Sequence, residues 1–199
     1  MTHGSAFGHD DGLMPVILEF LDGVALVLVG CPPTGMDDSE ATALRSALDA
    51  ASDADAVVLH GGGGAFLPGI EPARLARTTP AELTARAEAF RRLCEAVAVL
   101  PVPVVAAIAG HVSGGGCAVA MACDARVLVV GGSLGRLTTS DADRPVLTGR
   151  RVDAEEALRT GLVDLVVRPC ALLASAHDLA LDHATDKPRK RVQEYAKVR

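Results

Sequence analysis

The fold is decided by the stretch LPVPVVAAIAGHVSGGGCAVAMACD, residues 100–124. Residues 102–108 form an apolar run that is too short to span a membrane. The prolines around its start are not tolerated inside a helix, so the run predicts an interior strand. The glycines at 114–116 let the backbone approach another segment closely, and an apolar helix follows them. Because a helix start points free N–H groups and its positive dipole end at the preceding loop, this turn suits a developing negative charge.

The composition indicates one α/β domain. With 199 residues, the chain is long enough to bury roughly 70% of the surface that it exposes when unfolded. Hydrophobic residues make up 49% of the sequence but aromatic residues only 3%, so the core is built mainly from small aliphatic side chains. The net charge of −6 argues against a nucleic-acid partner, because such partners require a broad basic surface.

The cysteines and the two ends of the chain favour a cytoplasmic protein without a membrane partner. The five cysteines are odd in number and include no CxxC pair, which indicates reduced thiols rather than disulfides or a zinc site. Residues 1–15 contain no signal-peptide pattern, and we expect a loose N-terminal segment there. Residues 187–199 form a basic tail that we expect to be solvated. The cysteines are Cys31, Cys94, Cys117, Cys123 and Cys170.

Between these ends, residues 16–186 are predicted to form one domain of strand–strand–helix units, with stacked sheets and helices outside. The predicted strands cover residues 16–20, 24–29, 56–59, 102–108, 125–130 and 162–167, with a hairpin signal at Asp22-Gly23. Helices are predicted from Asp38 or Ser39 to about residue 51, from a capping box at Thr79–Glu82 through Val97, after the glycines, over 153–161 and over 169–184. The polar segment 133–147 is predicted to be irregular.

Three passages, in this order along the chain, together resemble the enoyl-CoA hydratase/isomerase (crotonase) superfamily. The first, AVVLHGGGGAFLPGIE, covers residues 56–71; the second covers 101–124; the third, LTGRRVDAEEALRTGLVD, covers 147–164. The resemblance implies a crotonase-like spiral of strand–strand–helix turns. It also implies an acyl thioester substrate, either acyl-CoA or a carrier-bound acyl group, with no separate cofactor.

By motif position, the resemblance implies an oxyanion hole formed by the backbone N–H groups of Ile70 and Gly115. Backbone donors need no particular side chain, and one of them lies at the glycine-rich helix start. The alternative is that the glycines at 114–116 only permit tight packing of the strand on the helix. The neighbouring residues implied to bind substrate are Phe66, Pro68, Gly69 and Gly114.

The chain departs from the family at both catalytic carboxylates. A family hydratase has one glutamate where this chain has Ala118 and a second where it has Thr138. General acid–base groups contribute typically ~10²- to 10⁴-fold to a rate, so ordinary hydration is not expected. The family also has a longer passage between Gly135 and Leu147 and a longer C-terminus, and these parts commonly wall the acyl pocket and build trimers.

Other polar residues could substitute for these carboxylates. His111 precedes the glycine loop and titrates near neutral pH, so it could be an acid or base, or simply a hydrogen-bonded loop residue. Thr138 and Asp141 lie where the second catalytic segment would be, together with Ser140 and Asp143.

Several further polar residues are interpreted as structural. Ser113 lacks the G-x-S-x-G spacing of a nucleophile elbow, and His60 is expected to pack. Glu71 takes the position of a family aspartate that mostly organises backbone. His177 and His183 do not stack on one helix face, so no metal site is predicted.

Two functional hypotheses follow. The first is a divergent enzyme that uses its oxyanion hole for decarboxylation, isomerisation or thioester cleavage. The alternative is a catalytically inactive accessory homologue that binds an acyl thioester or partners a larger biosynthetic enzyme. A homo-oligomer is possible in either case.

Overall fold

The computed structural model describes residues 5–7, 16–30, 36, 38–62, 64, 66–67, 77–139 and 145–186. Its strands are β1 Ser5–Phe7, β2 Val16–Leu21, β3 Val24–Val29, β4 Ala56–Gly61, β5 Val104–Ile108, β6 His111–Val112, β7 Ala125–Val129, β8 Ser133–Thr139, β9 Pro145–Asp153 and β10 Leu165–Val167. Its α-helices are α1 Asp38–Ala50, α2 Pro80–Val99, α3 Gly114–Ala122, α4 Ala154–Arg159 and α5 Leu172–Asp186, with a 3-10 turn Pro169–Ala171 directly before α5. The elements form the α/β class that the sequence predicts.

The main sheet has seven strands in the order β1-β2-β3-β4-β5-β7-β10. Strands β1, β2 and β3 pair antiparallel, whereas β3, β4, β5, β7 and β10 run parallel. The predicted hairpin is confirmed: Asp22 and Gly23 join β2 to β3 with φ angles of 48° and 84°. Positive φ at both positions is what a tight two-residue hairpin turn requires.

Helices cover both faces of this sheet. On one face, the core that includes Leu59 and Ile108 also contains side chains of α1, α2 and α3. On the other face, α5 packs over Val58 and Val105 through its own buried side chains, Leu172, Ala176 and Ala180. The sequence suggested stacked sheets with helices outside. Instead, helices cover both faces of the main sheet, because parallel strands that are apolar on both faces must be covered on both.

The central strand leads into a helix as predicted. Every residue of β5 is buried, and β6 separates it from α3, which begins at Gly114. After α3, the Asp124 carboxylate accepts a hydrogen bond from the Val104 N–H at 2.9 Å. This bond joins the turn between α3 and β7 to the start of β5. The end of β5 is joined to the start of α3 through β6, so the strand and the helix are connected at both ends.

The prediction of an irregular segment at 133–147 is wrong. Strands β8 and β9 pair antiparallel from Ser133 opposite Asp153 to Thr139 opposite Pro145, and β6 pairs parallel with β8 to complete a three-stranded sheet. Leu134 and its partner Val152 are both buried. The pairing was not predicted because the apolar residues of β8 are Leu134 and Leu137, which are three residues apart and do not show the alternation of a half-buried strand.

Part of the N-terminal segment forms a strand of the main sheet. Within residues 1–15, where a loose segment was expected, Ser5–Phe7 pairs antiparallel with β2 and extends the main sheet by one strand. The free edge of β2 offers the backbone groups that this strand binds. The expected basic tail at 187–199 lies outside the described residues.

Local capping signals set two helix starts. The predicted capping box before α2 is confirmed: the Thr79 N–H donates to the Glu82 carboxylate at 2.7 Å, and the Glu82 N–H donates to the Thr79 hydroxyl at 3.3 Å. Before α4, the Asp153 carboxylate accepts the Glu156 N–H at 2.8 Å. Among the cysteines in the described part of the chain, Cys94, Cys117, Cys123 and Cys170 form no disulfide.

Candidate active site

The N-terminus of α3 is open toward the loop that precedes it. Ser113 is the extended N-cap residue, and its side chain makes no capping hydrogen bond with any residue that the structure describes. Gly114 has a φ of 60°, a conformation that favours glycine. The Cys117 N–H bonds to the Ser113 carbonyl at 3.4 Å, so the N–H groups of Gly114, Gly115 and Gly116 point out of the helix start.

The helix start packs directly against the loop after β4. A Cβ added to Gly116 would lie 2.6 Å from the Phe66 carbonyl oxygen and nearer still to that of Leu67. A Cβ on Gly110 would likewise collide with the Gly64 carbonyl oxygen. Glycine is required at both positions because backbone meets backbone there. The two passages that the family resemblance assigns to one oxyanion hole therefore contact each other.

Phe66 was expected to bind substrate, but it lies in the main hydrophobic core. Phe66 is fully buried, with 0% of its surface exposed, and belongs to the main hydrophobic core. Its ring therefore presents no surface to a ligand and instead anchors the loop beside Gly116. Gly114, the other expected contact in the described part of the chain, is half-buried at the helix start.

The second expected oxyanion donor lies outside the described residues. Ile70 follows Leu67 by three residues, and Leu67 is the residue whose carbonyl oxygen abuts Gly116. Ile70 therefore remains a prediction. The same holds for the other expected residues outside the described part of the chain: Pro68, Gly69, Glu71, Ser140, Asp141 and Asp143.

The ring of Phe90 covers Gly115. A Cβ added to Gly115 would lie 2.6 Å from Cδ2 of this ring and nearer to Cγ and Cδ1. Phe90 is half-buried in α2, between Ala89 and Leu93, which belong to the core. The sequence predicts the helix that carries Phe90, but spacing alone gave no sign that the ring contacts the candidate oxyanion donor.

His111 makes its side-chain contacts within the small sheet formed by β6, β8 and β9. Its Nδ1 lies 2.9 Å from the Ser133 hydroxyl and 3.2 Å from the Ser133 carbonyl oxygen. The neighbouring Val112 and Leu134 belong to the core, and strand side chains alternate between faces, so His111 and Ser133 lie on the opposite face of the small sheet. The hydrogen bonds that the structure shows for this imidazole join it to Ser133 and not to Gly115.

The environment of His111 disfavours its charged form. Burial is the main cause that lowers the imidazole pKa from 6.5, and the positive charge of Arg151 lowers it further. The hydrogen bond to Ser133 opposes both effects but does not overcome them. The lowered pKa favours the neutral imidazole.

The position of the missing glutamate lies in α3. Ala118 is half-buried in α3 and has no ionisable group. Thr138 lies in β8 opposite Val146, and β8 runs parallel to β6, the strand that precedes α3. The described residues thus place no carboxylate at either family position.

A cavity of about 250 Å³ adjoins the same helix, and the sequence gave no signal for it. Inside it, the buried Cys117 thiol donates to the Gly135 carbonyl at 3.3 Å, and burial raises the pKa of this thiol to about 11. A thiol with that pKa is a poor nucleophile at neutral pH. The walls are Cys117, Met121, Leu134, Gly135, Val152, Glu156, Thr160 and Leu162.

Two further histidines, His60 and His177, contact backbone carbonyl groups. His60 places Nδ1 2.9 Å from the Ala107 carbonyl oxygen, which is consistent with the packing role expected of it. His177 places Nε2 3.3 Å from the Leu21 carbonyl oxygen.

Neither a metal site nor a membrane-spanning helix occurs among the described residues. In the described ranges, no group of three or more His, Cys, Asp and Glu side chains is arranged to hold a metal ion. None of the described helices has the length and apolarity needed to cross a bilayer.

The sequence model of the enoyl-CoA hydratase/isomerase family matches residues 36–136, half of the chain. The chain belongs to this family. It is 37% identical over 171 residues to a probable enoyl-CoA hydratase, echA17, of Mycobacterium avium, which covers 74% of this chain. It is 34% identical over 119 residues to the putative enoyl-CoA hydratase/isomerase YngF of Bacillus subtilis, covering 50% of this chain and 46% of YngF. The chain spans 66% of the length of the M. avium relative.

Solved structures agree with this membership. The structure of DspI from Pseudomonas aeruginosa matches with a TM-score of 0.72 at 26% identity, covering 87% of this chain and 81% of DspI. An enoyl-CoA hydratase from Bacillus anthracis matches with a TM-score of 0.73 at 23% identity, covering 87% and 78%, and this likeness concerns the fold alone. The crotonase-like fold inferred from the sequence is therefore confirmed.

Proposed function

We propose that this family member binds an acyl thioester, with the carbonyl oxygen held by the backbone N–H groups of Gly115 and Ile70. The contact of Gly116 with the Leu67 carbonyl supports this most directly, because it joins the helix start to the loop that leads to Ile70. Each N–H group aimed at a developing oxyanion is worth on the order of 3 kcal/mol. The uncapped start of α3 supplies one such group from a fixed backbone.

The reaction proposed is decarboxylation, isomerisation or thioester cleavage, with ordinary hydration the least favoured. Hydration needs groups that deliver and remove protons, and the family positions carry Ala118 and Thr138. Decarboxylation fits the described residues best. When the bond to the leaving carboxylate breaks, its electron pair flows into the thioester carbonyl, so the oxyanion hole stabilises the enolate and CO₂ departs without a protein base. The enolate carbon then takes a proton from water to give the product thioester, and the electron pair returns from the oxyanion.

A panel of coenzyme A esters tests this proposal. Malonyl-CoA and methylmalonyl-CoA report decarboxylation, a 3-enoyl-CoA reports isomerisation, butyryl-CoA reports cleavage, and crotonyl-CoA reports hydration. The products are separated by liquid chromatography and identified by mass spectrometry. We expect turnover of a malonyl-type ester and no hydration of crotonyl-CoA. Hydration of crotonyl-CoA as the fastest reaction would contradict the proposal.

A second candidate function is supported by the missing carboxylates and by the short passage between Gly135 and Leu147. In this case the protein is a catalytically inactive accessory homologue that binds an acyl thioester or partners a larger biosynthetic enzyme. A ligand that binds only the folded protein raises its melting temperature. A rise in melting temperature with a coenzyme A ester, without any product, would favour this accessory role. Neither binding nor turnover with the whole panel would overturn the enzyme and the thioester-binding role alike.

A further inference from the structure

Phe90 is the side chain in direct contact with the proposed oxyanion donor. Its ring lies where a Cβ at Gly115 would be, with Cγ, Cδ1 and Cδ2 all closer than 3.0 Å to that position. The ring therefore rests on the Gly115 backbone. Phe90, Gly114 and Gly115 are all half-buried, so each of the three keeps some exposed surface.

The ring is held in place by the helix that carries it. Leu93 and Val97 of α2 are buried with 0% and 1% of their surfaces exposed, and both belong to the main core. The Thr79 capping box fixes the start of the same helix. The Phe90 backbone therefore cannot move away from Gly115 without α2, and the ring can leave Gly115 only by a change of its own rotamer.

An acyl group on this donor would lie beside the ring. With the thioester oxygen about 2.7–3.1 Å from the donor nitrogen, the carbon next to the carbonyl lies within about 6 Å of that nitrogen. A methyl branch on this carbon that points toward Phe90 would meet the ring. An unbranched chain places only hydrogens there, and the ring then excludes water from the hydrogen bond.

We propose that Phe90 is a specificity-determining residue that selects acyl groups unbranched at the carbon next to the thioester carbonyl. This inference rests on the proposed binding of an acyl thioester at Gly115. It concerns the choice between esters and not the reaction that follows, so it applies whether the protein turns its ligand over or only binds it.

The test compares the binding of butyryl-CoA and isobutyryl-CoA, which contain the same atoms and differ in the branch. Dissociation constants are measured by titration calorimetry for the wild type, Phe90→Ala and Phe90→Leu. One methyl group in a fitted pocket is worth at least about 10-fold in discrimination. We expect the wild type to prefer butyryl-CoA by about 10-fold, Phe90→Ala to lose this preference, and Phe90→Leu to lie between them.

Val97→Ala is the matched control. Val97 lies on the same buried face of α2, seven residues and about 10 Å from Phe90, so its truncation weakens the same core without touching Gly115. This variant keeps the wild-type ratio of dissociation constants. The ratio separates specificity from stability, since general loosening of the fold weakens both esters alike. Circular dichroism checks that each variant is folded.

Each outcome decides one of the two proposals. Binding of both esters with the same ratio in the wild type and Phe90→Leu contradicts the role of Phe90 and leaves the proposed function intact. A ratio that changes equally in Val97→Ala also contradicts it. Failure of the folded wild type to bind either ester contradicts the proposed function, and the specificity role falls with it.

Discussion

At Gly116, the backbone of α3 comes so close to the loop after β4 that only a hydrogen atom fits between them. The Gly116→Ala variant places a methyl group against two carbonyl oxygens, which belong to backbone and cannot rotate away. We expect a loss of about 1–3 kcal/mol in the free energy of unfolding, the usual cost of overpacking. Urea titration followed by circular dichroism measures it.

Gly62→Ala is the control for this variant. A Cβ at Gly62 would have the Val29 carbonyl oxygen as its nearest neighbour at 3.4 Å, an ordinary contact. The control should retain most of the wild-type stability. Equal losses in both variants would mean that the close approach at Gly116 does not exist.

Gly115 and Phe90 should be energetically coupled. Gly115→Ala alone forces a methyl group into the ring and is expected to destabilise the protein, whereas in the Phe90→Ala background the space is vacant. The double-mutant cycle should give a favourable coupling energy of about 1 kcal/mol or more, as residues in contact typically do. Strict additivity of the two free-energy changes would contradict the observed contact.

His111 should make stability depend on pH. Its pKa in the folded protein is lowered from 6.5 by burial and by Arg151, so the unfolded chain takes up the proton more readily. Stability is therefore full above the unfolded pKa of about 6.5 and is lost as the pH falls through the lower folded pKa. Between pH 7.5 and 5.5, the wild type should lose more free energy of unfolding than His111→Asn. An equal loss in both proteins would refute this assignment.

Among the elements, α2 carries Phe90, and its start depends on one capping box. Thr79→Ala removes the hydroxyl that accepts the Glu82 N–H and should cost about 1 kcal/mol of stability. Thr84→Ala, later in the same helix, removes a hydroxyl that donates to the Pro80 carbonyl and should cost less. Thermal unfolding of the two variants compares them, and a smaller loss for Thr79→Ala than for Thr84→Ala would show that the box is unimportant.

The elements that the sequence predicted correctly are those with local signals. Asp22-Gly23 specifies a two-residue turn, and Thr79 with Glu82 specifies a helix start, through contacts only a few residues apart. The β8–β9 hairpin has no such signal in its described part. Its strands are recognised only from their pairing, in which Leu134 and Val152 face the core together.

At the scale of the whole molecule, the site lies where three chain segments meet. The glycines at 114–116 and the motif order were sufficient to predict the helix start and its partner loop. The contact of Phe90 with Gly115 was not predictable, because α2 and α3 are brought together only by the tertiary packing of both on the core. The opposite-face position of His111 likewise follows from pairing with β8, which the sequence did not reveal.

The account of function therefore depends on one geometric claim, namely that the N–H groups of Gly115 and Ile70 converge on a thioester oxygen. A crystal structure with a ketone analogue of butyryl-CoA, in which a methylene replaces the sulfur, tests it most directly. We predict that the ketone oxygen lies about 2.7–3.1 Å from both backbone nitrogens. A ketone oxygen bound away from Gly115, with the helix start facing solvent, would contradict the account.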